Sequence, residues 1–222
     1  MNQSLETAVR PDTKEKILDV AERLFAEHGF PATTLRDITA EAGVNLAAVN
    51  YHFRSKEALL SAVLQRRLGP VNARRLELLE QAHQNSHGGK LALEDVIRAF
   101  IQPVYEARGA GIELGNFARL MARVATDQGD WAISAMREQM QGTVTRFLPL
   151  LSEAMDAGDP MTVAMAMQLT LGAMAHSMKR SPSLTNMVGA DASLLPPAEH
   201  LEQLICYTVA GMRALAERER SR

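Results

Sequence analysis

Apolar and polar residues follow each other with a helical period over nearly the whole chain. Alternating runs of β-branched and aromatic residues are scarce, and no Asn-Gly or Asp-Gly pair joins two such runs. The first stripe follows Asp12, which is expected to cap a helix together with Glu15, and ends at Gly29, a residue suited to a C-terminal cap. Its apolar members are Ile17, Val20, Ala21, Leu24 and Phe25. The pattern predicts an all-α fold.

Short helical segments with clear caps follow the first helix. Residues 34–42 form one segment, which closes at Gly43. Residues 46–52 form the next, with Asn45 as its N-cap, and Ser55 caps the helix after that. The pattern therefore predicts an N-terminal helix-turn-helix domain, in which Phe53 is expected to be core.

Polar and glycine-containing segments divide the chain into two parts. Gly69-Pro70 is expected to kink or interrupt the fourth helix, because proline lacks a donor and clashes with the preceding turn. We expect a flexible arm at 1–11, the helix-turn-helix domain at 12–68 and a C-terminal helical domain at 69–222. Further helices are predicted near 93–107, 114–126, 130–157, 160–179 and 197–218, with a long connection at 180–196.

Two short helices joined by a tight glycine turn form the arrangement that many proteins use to read DNA. The turn sets the second helix at a steep angle, so that it can lie in a major groove about 12 Å wide. The start at Thr34, with Asp37 three residues on, leaves backbone N–H groups for phosphates. Ala47 and Ala48 are small enough to let the backbone approach base edges. The side chains able to reach bases or phosphates are Asn50, Tyr51 and His52.

Composition and charge change this picture little. The chain has 222 residues, a formal net charge of −2, 46% hydrophobic and 23% charged residues, which is typical of a globular protein and not of a polycation. Between residues 34 and 67, five basic residues stand against three acidic ones, a weak positive bias. From these features alone, a DNA-binding motif and a generic helical turn remain equally open.

The cysteine content and the hydropathy indicate a cytoplasmic protein. Cys206 is the single cysteine, so no intrachain disulfide is possible, which fits a reducing compartment. Residues 160–178 have no charged side chain over nearly the length of a bilayer span. Because Thr162, Gln168 and His176 interrupt this segment, we expect a helix buried within protein and no membrane partner.

Three motifs in residues 17–63 resemble the DNA-binding domain of the TetR family of bacterial transcriptional regulators. They are A-x-x-L-F-x-x-x-G-F from Ala21, T-T-x-x-x-I-T-x-x-A-G-V from Thr33 and Y-H-F-x-S-K-x-x-L from Tyr51. The stretch GVNLAAVNYHFRSKEALLSAV resembles more narrowly a PsrA-like, fatty-acid-responsive branch of that family. The resemblance implies a ligand-responsive regulator, expected to be a repressor, that binds a palindromic operator in double-stranded DNA.

The resemblance also implies roles for matching positions. Thr34, Tyr51 and Lys56 would hold phosphates. Asn50 stands where the family usually has an aromatic residue, and its amide can pair with adenine through two hydrogen bonds. The residues that would face the groove are Arg36, Asn45, Leu46, Ala47, Ala48, Asn50 and His52.

The last two predicted helices have apolar stripes at heptad-like spacing, which indicate either a dimer interface or the core of one subunit. The resemblance favours a homodimer, in which two helices from each subunit would form a four-helix bundle. Such a dimer would present two reading helices to half-sites about one DNA turn apart. The stripes are Ala164, Met167, Leu171, Met174 and Met178, and Leu201, Leu204 or Ile205, Thr208, Met212 and Leu215.

The C-terminal domain would also bind a small-molecule effector, possible examples being a fatty acyl or another hydrophobic compound. Aromatic and thioether side chains in its middle helices suit an adaptable pocket, although each of them could equally be plain core. Arg119 and Arg123 share a helix face and are either contacts for an anionic head group or solvated surface. The candidate ligand-binding residues are Phe100, Tyr105, Phe117, Met121, Trp131, Met136, Met140 and Phe147.

An enzyme and a helical interaction protein without operator binding are the alternatives. Cys206 has no adjacent histidine and is interpreted as an inert thiol. His83 and His87 have the spacing of a metal pair on a helix but lack a neighbouring ligand cluster. No G-x-S-x-G, phosphate-loop or dinucleotide motif occurs, so we expect no catalytic residue, no metal and no cofactor.

Overall fold

The computed structural model of the chain describes residues 13–109, 115–126, 129–177 and 196–221. Within these ranges every regular element is a helix, which confirms the all-α prediction. The helices are α1 (Thr13–His28), α2 (Leu35–Ala42), α3 (Leu46–Phe53), α4 (Lys56–Asn85), α5 (Leu93–Gly109), α6 (Gly115–Thr126), α7 (Asp130–Met155), α8 (Pro160–Ser177) and α9 (Pro197–Arg220).

The observed helix ends agree with the caps read from the sequence, with one exception. Gly29 has the left-handed φ of 85° expected of a helix terminus, whereas the predicted cap Asp12 lies outside the described residues. The expected interruption at Gly69-Pro70 is wrong, because α4 runs through Pro70 as one helix. Pro70 removes only the bond to the carbonyl of Arg66, and the buried residues on either side, among them Leu64 and Leu79, hold the helix to its neighbours.

The chain forms two compact units. The first comprises Met1–Gly69 and Glu113–Gln139, and the second comprises Pro70–Ile112 and Met140–Arg222. The first unit thus takes in α6 and the start of α7 in addition to the helix-turn-helix. The chain passes from one unit to the other within α4, between α5 and α6, and within α7.

The core of the first unit lies between α1, α2, α3, α4, α6 and the start of α7. Phe25 of α1 and Val49 of α3 are fully buried, and Phe53 is buried as predicted. Each such side chain contributes roughly 1.5–3 kcal/mol relative to an exposed position. The other large side chains of this core are Ile17, Leu18, Leu24, Phe30, Ile38, Leu59, Leu60, Val63, Leu64, Phe117, Leu120 and Val124.

The core of the second unit joins α4, α5, α7, α8 and α9. The predicted stripe of the last helix belongs to this core and not to an exposed surface, so the intrasubunit interpretation is confirmed for it. This follows from the burial of Leu201, Leu204, Ile205, Thr208 and Met212 within a single chain. In α8, Met167 and Met174 also pack against this core, whereas Met178 lies outside the described residues.

A different face of α8 and α9 is apolar and exposed. Helix α8 is apolar on nearly every side, so burying one stripe leaves a second stripe at the surface. We call this surface the α8/α9 face, and define it by Met161, Met165, Leu169, Leu171, Cys206 and Tyr207. Among the described helices, none is long and apolar enough to cross a membrane.

Candidate nucleic-acid interface

The N-terminus of α2 is held by a reciprocal cap between Thr34 and Asp37. The Asp37 N–H donates to the Thr34 Oγ1 at 3.2 Å, and the Thr34 N–H donates to the Asp37 carboxylate at 2.9 Å. The Thr34 hydroxyl donates to the same carboxylate at 2.7 Å. These hydrogen bonds from Thr34 lower the pKa of Asp37 below its usual value. A cap of this kind stabilises a helix by about 1 kcal/mol, and it orients the first turn of α2.

The turn between α2 and α3 has the two features that the sequence predicted. Gly43 has a left-handed φ of 64° and closes α2 by donating its N–H to the carbonyl of Thr39. No atom lies within 4 Å of a Cβ built at Gly43, so its φ, not a close approach, is what favours glycine there. Asn45 then caps α3, with its Oδ1 accepting from the N–H of Ala48 at 2.9 Å. The angle between the two helices is therefore specified locally.

Helix α3 has an inner and an outer face. Val49 and Phe53 are four residues apart, share the inner face and are buried in the core. The outer face consists of side chains that could reach DNA. Its exposed members are Leu46, Ala47, Asn50 and Tyr51, its half-buried members are Ala48 and His52, and the flanking Arg36 and Asn45 are exposed too. The structure thus brings the predicted groove-facing residues together on one surface.

Tyr51 stands out furthest from this surface. Its side chain is 84% exposed, and its ring meets that of His52 edge-on with centroids 5.1 Å apart. Helix α3 ends three residues later at Arg54, which has a positive φ of 68°, uncommon for a residue with a side chain. That conformation turns the chain towards Ser55, whose hydroxyl caps α4.

The predicted phosphate contact Lys56 is placed differently from Tyr51. Its ammonium donates hydrogen bonds of 2.9 Å to the carbonyl oxygens of Phe30 and Thr33 and lies 4.3 Å from the centre of the Phe30 ring. An ammonium has three N–H donors, so two of them hold the α1–α2 loop and one is left for another acceptor. Lys56 therefore links α4 to the loop that precedes the helix-turn-helix.

Sequence reasoning missed two contacts of charged side chains, which join α1 to α4 and to α6. Glu22 on α1 is buried and accepts hydrogen bonds from Arg66 at 2.8 Å and from Arg67 at 2.9 Å, both on α4. Arg123 of α6 donates to the carbonyls of Ala26 and Glu27 at 2.9 and 2.8 Å, at the C-terminus of α1. A cation at a helix C-terminus is favourable. The partners in both contacts lie far apart in the sequence, so no local sequence pattern predicts either contact.

The candidate effector residues fall into two groups. Phe117, Met121, Trp131 and Met136 belong to the first unit, where Trp131 stacks on Phe30 with ring centroids 4.8 Å apart. The other four belong to the core of the second unit, and they are Phe100, Tyr105, Met140 and Phe147. The structure therefore does not gather all eight in one unit.

The remaining candidates have simple environments. Arg119 is exposed and bonds within its own helix to Asn116, while Arg123 caps α1 as described. His87 lies beyond the end of α4 with a φ of 50°, so it and His83 do not share a helix. Within the described ranges, no group of three metal-binding side chains occurs. Cys206 is exposed.

Two family models match the chain. The model described as bacterial regulatory proteins, tetR family, matches residues 17–63. A model described as a tetracyclin repressor-like C-terminal domain matches residues 98–211, which is about half of the chain. The first match covers the helix-turn-helix and the second covers α6 to α8 with most of α5 and α9. Neither model distinguishes the PsrA-like branch, so that narrower resemblance stays a prediction.

Curated relatives are transcriptional regulators of the helix-turn-helix type. YerO of Bacillus subtilis strain 168 is 43% identical over 58 residues, which are 26% of this chain and 20% of that protein. UidR of Escherichia coli strain K12 is 24% identical over 183 residues, which are 79% of this chain and 86% of that protein. The match thus covers a fifth of the length of YerO and most of the length of UidR.

Solved structures with the same fold include three regulators. A transcriptional regulator of Pseudomonas aeruginosa PAO1 superposes with a TM-score of 0.62 at 18% identity over 98% of this chain and 99% of that one. FadR of Bacillus subtilis in complex with stearoyl-CoA gives 0.60 at 18% identity over 89% and 98%. A SmeT–triclosan complex gives 0.59 at 21% identity, over 90% of each chain. At these identities the likeness concerns the fold.

Proposed function

The chain belongs to the TetR family of bacterial regulatory proteins, and on this premise we propose that it is a ligand-responsive transcriptional regulator. It binds a palindromic operator as a homodimer in the cytoplasm, acts as a repressor and leaves the DNA when a small hydrophobic effector binds. The observation that carries the proposal is the outer face of α3, which is exposed while Val49 and Phe53 anchor the helix in the core.

The outer face of α3 matches the chemistry of a major groove. A groove about 12 Å wide admits a helix, and the small side chains of Ala47 and Ala48 allow it to come close to the base edges. Leu46 offers an apolar contact for a thymine methyl group. Asn50 offers an amide that can pair with the N6 and N7 of adenine, worth about 1–3 kcal/mol of discrimination between bases. Direct reading of sequence is thus assigned to α3.

Residues around this face supply the phosphate contacts. The hydroxyl of Tyr51 extends from the protein surface, and the free first-turn N–H groups of α2 beside Thr34 point away from the helix. Arg36 in α2 and Arg54 directly after α3 are exposed cations. Phosphate contacts set the position of a protein on DNA without reading its sequence, so these residues determine how α3 enters the groove.

The α8/α9 face is our proposed dimer interface. Exposed apolar side chains on two helices that pack against each other are typical of a protein–protein contact. Tyr207, 72% exposed at its centre in α9, is a residue type enriched in such contacts. Two copies of α8 and α9 would form a four-helix bundle around a two-fold axis, and that symmetry requires a palindromic operator.

The effector assignment rests on the second unit and on similar proteins. SmeT is known in complex with triclosan and FadR of Bacillus subtilis in complex with stearoyl-CoA, two compounds with large apolar parts. The core of the second unit here is built from Phe, Met, Leu and Ile side chains that suit such ligands. The effector releases DNA only if it binds more tightly to a geometry that does not fit the operator. An enzyme is not favoured, since the family and the curated relatives are regulators.

Selection from a random duplex library tests the proposal. We expect an enriched palindrome, bound by the full chain with an affinity that falls steeply as salt rises, because each phosphate contact contributes about 0.9 to the logarithmic salt slope. Tyr51→Phe should weaken binding about five- to tenfold by removing one hydrogen bond. Ser134→Ala is the control, since it removes an exposed hydroxyl in α7, far along the chain from α3 and outside the α8/α9 face.

Failure to enrich any sequence, or equal effects of Tyr51→Phe and Ser134→Ala on the selected duplex, would contradict the proposal. Circular dichroism and sedimentation of each variant check that folding and association are unchanged.

A further inference from the structure

Arg75 is a buried cation in the second unit. It lies on α4 and is 3% exposed. Its Nε donates a hydrogen bond of 2.9 Å to the carbonyl oxygen of Phe100, and its Nη1 donates one of 2.9 Å to the Oδ1 of Asn72. The guanidinium carbon lies 4.1 Å from the centre of the Phe100 ring. These contacts hold the guanidinium in one position between α4 and α5.

The partners of Arg75 carry no negative charge. Within the described ranges, no Asp or Glu forms an ion pair with it. Its neighbour Arg74 shows the usual alternative, because Arg74 is more exposed and pairs with Glu77 at 3.2 Å and Glu106 at 3.0 Å. The two adjacent arginines therefore differ in charge compensation. Arg74 is paired with carboxylates, whereas Arg75 keeps a positive charge that an anionic ligand could pair with.

An uncompensated buried charge is unfavourable, and the protein retains it here. Removal from water lowers the pKa of Arg75 to about 10, since surroundings of low polarity disfavour the charged form. The side chain still carries its proton at neutral pH. A carbonyl dipole and the face of a ring compensate a cation only in part. An oxyanion would compensate it more completely than these groups do, since guanidinium and carboxylate match in geometry and can form two parallel hydrogen bonds.

The side chains around Arg75 are apolar and aromatic. The Phe100 ring packs edge-on against Phe147 with centroids 5.5 Å apart. The Nδ2 of Asn72, beside the guanidinium, lies 4.0 Å from the sulfur of Met140. Of the ligand residues predicted from the sequence, Phe100 thus contacts the buried cation directly, whereas Phe147 and Met140 contact its neighbours Phe100 and Asn72. A charged position surrounded by apolar residues suits an amphiphile.

We propose that Arg75 is the anion-recognising residue of the effector site and that the effector is an organic acid with an apolar body. Its carboxylate, or an equivalent oxyanion, pairs with the guanidinium of Arg75, and its apolar part lies along Phe100, Met140 and Phe147. This inference rests on the proposed function, since it identifies the chemical class of the effector.

Matched pairs of ligands test this directly. The probes are the straight-chain acids from hexanoic to dodecanoic and the ω-phenyl acids, each with its primary amide, which keeps the shape and removes the charge. Binding to the full-length dimer is measured by calorimetry and thermal shift at neutral pH. We expect at least one acid to bind the unmodified protein about tenfold or more tightly than its amide, as for a charge-assisted hydrogen-bonded pair.

Variants of Arg75 and Arg74 test which residue causes the preference for the acid over its amide. Arg75→Met keeps the apolar stem and removes the charge, so the ratio between acid and amide should fall to about one. Arg74→Met removes a neighbouring charge that is already paired, and it should leave the ratio unchanged. If Arg75→Met does not fold, Arg75→Gln replaces it, because its amide can still donate to the carbonyl of Phe100. The same fall in ratio is expected for Arg75→Gln.

Two outcomes overturn the inference. The first is that no acid binds the unmodified protein more tightly than its amide. The second is that Arg75→Met or Arg75→Gln changes stability but keeps the acid preference, which would make Arg75 a structural link between α4 and α5 only. The test separates this inference from the proposed function. If an amide releases the operator from both the unmodified protein and Arg75→Met, the protein is a ligand-responsive regulator, but Arg75 does not recognise the effector.

Discussion

Replacing Lys56 by Met is predicted to destabilise the first unit by about 2–3 kcal/mol. The substitution keeps the aliphatic stem and removes the ammonium, which holds the carbonyls of Phe30 and Thr33. Each charge-assisted hydrogen bond contributes about 1.5 kcal/mol at the lower end of the usual range, which applies because Lys56 is half-buried. The cation–π contact with Phe30 adds about 0.5 kcal/mol, and the freedom that the side chain regains offsets about 1 kcal/mol.

The chain has one built-in reporter for this change. Trp131 is the single tryptophan and stacks on the same Phe30 ring that the Lys56 ammonium approaches. Urea unfolding followed by tryptophan fluorescence should show a midpoint lower by about 1 M, for a slope of about 2 kcal/mol per molar. Lys16→Met is the matched control, since Lys16 is exposed on α1 and its loss removes the same charge. Equal midpoints for the two variants would refute this role of Lys56.

The same variant separates the two roles of the ammonium. If its third N–H reaches an operator phosphate, as the family resemblance implies, Lys56→Met lowers the logarithmic salt slope of DNA binding by about 0.9. If the ammonium serves only the α1–α2 loop, the slope equals that of Lys16→Met while the stability falls. The contact to the carbonyls and the contact to a phosphate are thus measured independently.

Three other predictions concern separate parts of the molecule. Glu22→Gln should destabilise the first unit by about 2–3 kcal/mol in the same urea assay, because two arginines lose a carboxylate that is 4% exposed. Glu57→Gln, at an exposed position, should change the stability little. Equal effects of the two variants would contradict the role of Glu22. The pKa of Asp37 is lowered in the folded protein, so its contribution is complete above the unfolded value of about 4 and is lost as pH falls through the folded value. Asp37→Asn should therefore flatten the decline of stability below about pH 4, and an unchanged decline would count against the cap. Leu169→Glu should convert the dimer to a monomer in sedimentation, because it places a charge in the α8/α9 face. Gln81→Glu on α4 adds the same charge outside this face and should leave the dimer intact. A dimeric Leu169→Glu protein would exclude this face as the interface.

The helix-turn-helix could be predicted from the sequence because its determinants are local. Thr34 with Asp37, Gly43 and Asn45 each act within four residues, and the structure has every one of these caps. The period of apolar residues also identifies Val49 and Phe53 as the inner face of α3 without knowledge of what they pack against. The outer face follows by exclusion, and with it the candidate DNA-contacting surface.

Periodicity could not determine which stripe of an apolar helix faces the core. Helix α8 is apolar on nearly every side, so Met167 and Leu169 are equivalent in the sequence, yet only Met167 packs inside its own subunit. The predicted interruption at Pro70 was wrong because it considered only the chain near Pro70. The loss of one hydrogen bond there is outweighed by packing along the rest of α4.

Long-range placement of charges was decided by the tertiary structure alone. The sequence determined that this is a helical protein with a capped helix-turn-helix, since those signals depend on neighbours along the chain. Arg74 and Arg75 are adjacent and chemically identical there. Only the approach of α5 to α4 makes one of them an exposed ion pair and the other a buried cation beside Phe100. Burial depends on residues far apart in sequence, and no local pattern encodes it.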